Sequence, residues 1–326
     1  MEGIFLVFFL IMVVYLFIKD FNTPDTDINA SNEIKWQIYL FYFFILWVVI
    51  EAQFFLGRFV KAQLNIIKEQ KVKIEAQNKE ITDSIIYARG IQESILPTDN
   101  KVKELLPDSF IFFKPKDIVS GDFYWMEKIS NKILFAAVDC TGHGVPGAIV
   151  SMVGHDALNR AVREFTITEP AAILDKITEI VTGTFGNSGN ERKDGMDMAL
   201  CCLDTENNTL EYSGANNPLY LARDNKIEVI KADKQPVGKF ENKMPFVNHI
   251  LKAKPGDVIY LFSDGFADQF GGPHGKKFKY KKFRELLLQN HSEPMYEQKA
   301  VLENAFQEWK GDLDQVDDII VMGVRF

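Results

Sequence analysis

Two long apolar runs open the chain. Gly3 to Ile18 is an uninterrupted apolar run of 16 residues that ends at Lys19-Asp20. Trp36 to Leu56 is a second run of 21 residues, broken by Gln37, Glu51 and Gln53. At a helical rise of about 1.5 Å per residue, the second can span a hydrocarbon core of about 30 Å. The first is slightly short and needs local thinning of the bilayer. Phe21 to Lys35 between them is polar and carries the turn-rich Asn22-Thr23-Pro24-Asp25. The simplest reading of residues 1–56 is a transmembrane hairpin with spans at 3–18 and 36–56. A cleaved signal peptide and a pair of buried soluble helices compete with it. The start Met1-Glu2-Gly3 has no positive n-region, and no small-residue cleavage site follows closely. Leu40 to Ile50 has no amphipathic period, which speaks against soluble helices.

The pattern then becomes heptad-like. Residues 57–96 contain no proline, and their glycines are Gly57 and Gly90. With Leu64 at position a, Lys71, Asn78, Ile85 and Gln92 share that position; Val60, Ile67, Ile74, Ile81, Ala88 and Ile95 occupy d. A sustained seam with polar a positions favours a register-fixed parallel dimer of modest stability. The alternative is one amphipathic helix packed on its own domain. Pro97 ends the helix. A linker over 57–97 between a membrane hairpin and a folded domain suits a signal-transmitting rod.

From 98 to 326 short strands mix with helices. Phe110–Phe113, Lys132–Val138, Met196–Leu203, Leu210–Tyr212, Leu219–Leu221, Val258–Phe262 and Ile319–Val324 read as strands. Several are joined only by turn residues, such as Asp204 to Asn208 and Asp224-Asn225, which predicts antiparallel meanders. Helices are expected at about Pro146–Glu164 and Pro170–Thr184, with a pair within Lys279–Lys310. The fold class is α+β, an antiparallel β-sandwich flanked by helices.

Composition sharpens this picture. Eleven of the 27 phenylalanines lie in the first 60 residues, so an average that looks soluble combines two environments. The net charge of -8 argues against a nucleic-acid partner. Arg58, Lys61, Lys68, Lys71 and Lys73 follow the second run, whereas the loop between the runs has only Lys35, with Lys19 at its edge. The positive-inside rule therefore places everything after Leu56 in the cytoplasm. Cys140, Cys201 and Cys202 then sit in a reducing compartment as three unbridged thiols.

The chemistry lies in carboxylates at strand ends beside small residues: Asp122 in Ser120-Gly121-Asp122, Asp139 before Cys140-Thr141-Gly142-His143-Gly144, Asp264 in Ser263-Asp264-Gly265, and Asp317-Asp318 before Ile319. A carboxylate at the edge of a core is costly unless it is paired or metal-bound. Several of them without a neighbouring Lys or Arg suggest hard divalent cations with oxygen ligands. Any one Asp-Gly is usually just a turn. Their order and spacing together carry the signal.

That set (SGDFY, DCTGHG, FSDG and the Asp317-Asp318 pair) resembles the metal-dependent protein phosphatases of the 2C type, in the bacterial branch typified by the stage II sporulation protein E. Ile85 to Pro97 also resembles the helix that precedes the catalytic domain in that branch. The resemblance implies two Mn2+ or Mg2+ ions. Asp139 would bridge both, and the backbone carbonyl of Cys140 would ligate one. Asp264 and Asp318 would complete the other shell, with Asp122 supporting the second ion. Asp139 and Asp264 would be the catalytic pair. Eukaryotic members have Asp-Gly-His where this chain has Asp139-Cys140, and His143 stands four residues after Asp139, so a general-acid role does not transfer to it. Asp197 could add a ligand, although a strand-start role competes.

The implied reaction is hydrolysis of phosphoserine or phosphothreonine by a water activated between two ions. The implied substrate is a regulatory protein, often an anti-sigma-factor antagonist. The implied setting is the bacterial inner membrane, multi-pass, with a cytoplasmic catalytic domain and a homodimeric linker. A catalytically silent membrane module that acts by binding a partner is the alternative from another class. A nucleotidyl cyclase would need base- and ribose-binding residues that the chain does not display. The heptad makes a prediction of its own: single cysteines introduced from Val60 to Ile95 should crosslink between chains with a 3.5-residue period. An aperiodic or empty crosslinking pattern would contradict the dimeric seam.

Overall fold

The computed structural model describes residues 11–15, 18–19, 28–185 and 194–326. Most of the predicted first span, 3–18, lies outside the described residues, as does much of the predicted loop. Helix α1 runs from Ile28 to Ile95 without interruption, across both the second apolar run and the heptad segment. Its apolar stretch carries exposed Leu40, Phe41, Phe43 and Trp47. Among the described residues, one helix is long and apolar enough to cross a membrane. The chain divides into two compact units, Met1–Asn78 and Lys79–Phe326. The last four turns of α1 thus belong with the C-terminal unit, because Gln92 and Leu96 pack into it.

After α2 (Asp99–Leu105) come β1 (Ser109–Lys114), β2 (Phe123–Ile129) and β3 (Lys132–Cys140). Helix α3 (Gly144–Asn159) continues as a π-turn at Arg160–Glu164 and is followed by α4 (Pro170–Phe185). Then follow β4 (Gly195–Asp204), β5 (Thr209–Ala215), β6 (Leu219–Arg223), β7 (Lys226–Ile230), β8 (Val237–Gly238), β9 (His249–Lys252) and β10 (Val258–Phe262). The chain ends with the short helix α5 (Gly265–Asp268), the hairpin β11 (Phe270–Gly271) and β12 (Lys276–Lys277), helices α6 (Lys279–Asn290) and α7 (Met295–Lys310), and β13 (Ile319–Arg325).

Two antiparallel sheets result, ordered β1-β13-β10-β6-β7 and β2-β3-β4-β5-β9, with β8 added on β4. The expected antiparallel meanders are present. The β6–β7 hairpin turns at Asp224 and Asn225, both at positive φ, the geometry of a two-residue type I′ loop.

Strands buried on both faces read as continuous apolar runs, and their period of two sorts the residues into layers. In β3, Ile133, Phe135 and Ala137 enter the core between the sheets, with Ala199, Cys201, Leu261, Ile320 and Met322. Leu134, Ala136 and Val138 face the other way, against Leu158, Ile173, Leu174 and Ile177 of the helices α3 and α4. The second sheet has its own outer layer, where Phe110, Phe112, Tyr260 and Phe262 meet Phe266, Phe283, Leu302 and Phe306. The architecture is therefore helix, sheet, sheet, helix. Phe306 is buried, with ring centroids 6.3 Å from Phe112 and 5.6 Å from Phe266. Phe306→Ala should cost about 3–5 kcal/mol of unfolding free energy by urea titration of the C-terminal unit's transition. A loss below about 1 kcal/mol would mean that this layer collapses freely around the gap.

Candidate metal and phosphoryl-transfer site

The strand alternation that builds the core also builds the site. Asp139 continues the inward series Ile133, Phe135, Ala137, and Asp197 opposes it in register across β3 and β4. By the same parity Asp122 extends Met126 of β2, Ser263 extends Ile259 and Leu261 of β10, and Asp318 extends Ile320 and Met322 of β13. Acidic and hydroxyl side chains are thus delivered to one end of the inter-sheet layer by five strands that cannot slip without turning their core residues outward.

Hydrogen bonds fix the loops there. Both oxygens of Asp318 accept main-chain N–H groups, from Lys116 at 2.7 Å and from Gly121 at 2.7 Å. Its own N–H donates to the Asp317 carboxylate at 2.9 Å. The Ser263 hydroxyl accepts the Ile320 N–H at 3.0 Å and bonds Asp122. Thr141 locks the loop after β3 to the start of β4, its hydroxyl donating to the Gly195 carbonyl at 2.9 Å. Gly265 must lack a side chain, because a Cβ there would collide with the Asp318 carbonyl. Gly142 sits at φ +87°, a left-handed turn that a larger residue would strain.

Asp122 is 3% exposed, and its Oδ2 has no hydrogen-bond partner. Burial first, then the charge of Asp139, holds its carboxyl well above the ordinary value. Asp139 is raised well above it too, by burial and then by Asp264 and Asp197, although the Asp264 N–H donates to it. Asp264 is pushed up to about 6, by burial and then by Asp317 and Asp268. Asp197 is raised by burial, against a 2.8 Å hydrogen bond from Asn216.

Electrostatically these carboxylates form one group, and each raises its neighbours. Yet no three His, Cys, Asp or Glu side chains among the described residues close around a single point. An orphaned buried carboxylate oxygen and an uncompensated, all-oxygen donor set fit divalent cations that are shared between carboxylates and completed by water. A closed three-carboxylate cage for one ion does not fit.

The remaining candidates are Cys140 and His143. Cys140 is buried, and burial followed by Asp122 and Asp139 pushes its thiol well up. That disfavours the thiolate, the form in which a cysteine attacks. All three thiols are free and buried. His143 is exposed, and its Nδ1 lies 2.7 Å from Asp117 Oδ2. Asp117 was not expected from the sequence. Gln92 was expected only as a polar heptad residue. Instead it is buried, takes the Ser120 N–H at 3.0 Å, and gives its amide to the Ser120 carbonyl at 2.6 Å and to Ser151 at 2.9 Å. The last turn of α1 therefore braces the residue two before Asp122. Its signals in the sequence were an amide at a heptad position shared with Lys71 and Asn78, and its place in the Ile85–Pro97 stretch.

Comparison with known proteins follows this geometry. A profile of the family described as stage II sporulation protein E (SpoIIE) matches residues 130–326. The SiaA-PP2C domain of Pseudomonas aeruginosa is 32% identical, with a TM-score of 0.71 over 77% of this chain and 99% of that one. The chain belongs to the stage II sporulation protein E family. Its C-terminal domain is a 2C-type phosphatase domain, and enzymes of that class are metal-dependent phosphoric monoester hydrolases that use Mg2+ or Mn2+. The PP2C phosphatase domain and regulatory fragment of SpoIIE from Bacillus subtilis shares the fold at 17% identity (TM-score 0.56, 67% of this chain and 63% of that one). The RsbU and RsbW domains of a Mycobacterium tuberculosis protein do so at 16% (TM-score 0.55, 68% and 60%). No curated protein matches the chain.

The raised carboxyls predict how the metal-free protein responds to pH. An acid whose folded value stands above its unfolded value of about 3.9 favours the fold while protonated. That contribution is complete below about pH 4 and is lost as pH rises through about 6, the value for Asp264. The melting temperature of the chelated chain should therefore fall between pH 4 and 7, and Mn2+ should restore it at pH 7. A flat profile that does not respond to Mn2+ would contradict the repulsive cluster.

Proposed function

We propose that the chain is a membrane-anchored serine/threonine protein phosphatase that hydrolyses phosphoserine or phosphothreonine on a regulatory protein, with a water activated between two divalent ions. The observation that carries this reading is the buried, partnerless Asp122 oxygen beside Asp139 in a group of carboxylates that raise one another, with no Lys or Arg in ion pairing with Asp122 or Asp139 among the described residues. Asp122, Asp139, Asp264, Asp318 and the Cys140 carbonyl are the residues that would hold Mn2+ or Mg2+. When bound, the ions would supply Lewis acidity that lowers the pKa of a shared water and neutralises phosphoryl oxygens.

The chain's own residues provide the frame. Asp139 stands at the centre of the group, facing Asp197 across the sheet and receiving the Asp264 N–H. Asp318 holds the Lys116–Gly121 loop by two main-chain hydrogen bonds and thereby places Asp122. With a water held by the ions as the nucleophile, the proposed reaction needs no phosphoenzyme. Asp197 remains a proposed additional ligand.

The domain plan that we propose is a hairpin over 1–56, a linker over 57–97 and a phosphatase domain over 98–326. Exposed apolar Leu64, Ile67, Ile74 and Ile81 support a partner helix, and hence a homodimer. The long apolar helix and the basic residues after it support anchoring in the bacterial inner membrane with the catalytic domain in the cytoplasm. Through Gln92, the linker ends on the loop that carries Asp122, which suits transmission of a signal to the site. The substrate class, including an anti-sigma-factor antagonist, rests on the family resemblance.

Asp139→Asn should abolish Mn2+-dependent hydrolysis of p-nitrophenyl phosphate, a loss of at least about 10³-fold, while the circular dichroism melt stays cooperative. Turnover within about tenfold of the unmutated chain would contradict the assignment.

A further inference from the structure

The acidic chain carries one dense run of the opposite charge. Lys276, Lys277, Lys279, Lys281, Lys282 and Arg284 fall within nine residues, and no carboxylate interrupts the sequence from Gln269 to Arg284. This run forms β12 and the first turns of α6. Phe278 and Phe283 turn inward and anchor it, packing their rings on Phe266 at 5.2 and 4.9 Å. The lysines consequently remain outside.

Three of the six cations have work within the fold. Lys277 pairs with Asp268 at 2.8 Å. Lys282 lies 3.9 Å from the Trp309 ring centroid, and Arg284 lies 5.9 Å from that of Tyr220. Lys276, Lys279 and Lys281 are exposed and make no ion pair or side-chain hydrogen bond among the described residues. Lys279 holds φ 71°, a backbone region that side chains other than glycine rarely occupy, so the chain is strained where the strip turns into α6.

The strip borders the carboxylate centre. Asp264 leads into α5, whose last residue, Asp268, donates its N–H to the Asp264 carbonyl at 2.9 Å and accepts the Lys277 ammonium. Phe262, two residues before Asp264, lies 6.3 Å from the Tyr280 ring. The Tyr280 hydroxyl is pushed up by burial and then by the negative charge of Asp264 and Asp268. A strongly negative site and a strongly positive strip thus stand one helical turn apart.

We infer that Lys276, Lys279 and Lys281 form a docking strip for a phosphoprotein substrate whose surface beside the phosphorylated residue is rich in Asp and Glu. The inference rests on the phosphatase reading above. The carboxylate centre by itself repels such a protein, and the strip offsets that repulsion and aligns the acidic flank while the phosphate enters. An anionic bilayer is the other ligand of matching charge. The strip is tied to Asp264 through Asp268 and Tyr280, so a protein that must also bring its phosphate to the carboxylates fits the placement better.

The test uses the full chain in detergent micelles with Mn2+. Its probes are a phosphoserine peptide flanked by four glutamates, the same peptide with glutamines, and p-nitrophenyl phosphate. The unmutated chain should prefer the glutamate peptide, and that preference should fade as NaCl is raised past the screening range. The triple variant Lys276→Glu, Lys279→Glu, Lys281→Glu should raise KM for the glutamate peptide about tenfold or more. It should leave kcat, the glutamine peptide and the aryl phosphate unchanged. Peptide anisotropy should show the same loss of binding, and the triple Lys→Arg variant should behave like the unmutated chain. Equal KM values for the two peptides, or a triple Glu variant that keeps the preference, would overturn the strip. With phosphatidylserine added to the micelles as a further probe, loss of its retention by the triple Glu variant without a change in peptide KM would assign the strip to lipid and overturn the inference too. Absence of aryl phosphate turnover by the unmutated chain would instead sink the phosphatase reading, and the strip with it.

Discussion

The confinement of clustered carboxylates away from water, and then their mutual repulsion, is the constraint on which the C-terminal unit is organised. Asp122, Asp139, Asp264 and Asp318 each terminate or adjoin a strand whose alternate residues are locked between the sheets. None can retreat from the others without dragging apolar side chains into water. The cost of that confinement appears in carboxyls held well above their ordinary values and in one Asp122 oxygen left without a partner. Such an arrangement is relieved either by protons, as the raised carboxyls show, or by positive charge brought from outside. In the reading proposed above, divalent cations provide it.

The surrounding structure distributes the strain. Asp318 spends both oxygens on main-chain N–H groups and so stabilises a loop as well as a charge. Ser263 and Gln92 are neutral and brace the same neighbourhood without adding to the repulsion. Cys140 lies among carboxylates yet stays protonated, which keeps another negative charge out of the cluster. Among the described residues, Lys277 of the strip after β11 pairs with Asp268, one helical turn from Asp264.

Much of this was legible in the residues because buried strands write themselves as apolar runs. Val258–Phe262 was expected and found with the same limits, and β3, β4 and β13 extend the expected strands by one or two residues. The turn at Asp224-Asn225 was legible because its chemistry is local. The strand β2 was hidden, because Phe123 to Ile129 ends in Glu127 and Lys128, and its opening aromatics read as part of a motif. Edge strands β7 and β9 were missed for a related reason: one face meets solvent, so their patterns are mixed. The site aspartates were recognisable from their order. Asp117 beside His143 and Gln92 beside Ser120 were not, since each joins residues 26 or more positions apart. A helix seam also cannot say which of its polar positions will be drawn into a neighbouring core. Gln92 and Asn78 occupy equivalent heptad positions, and only Gln92 is buried.

The most direct measurement is diffraction from the C-terminal unit crystallised with Mn2+, with data collected at the manganese edge. The account predicts two anomalous peaks about 3.5–4 Å apart, bridged by Asp139 and flanked by Asp122, Asp264 and Asp318. A site without anomalous density, its carboxylates drawn apart or paired with lysines, would contradict it.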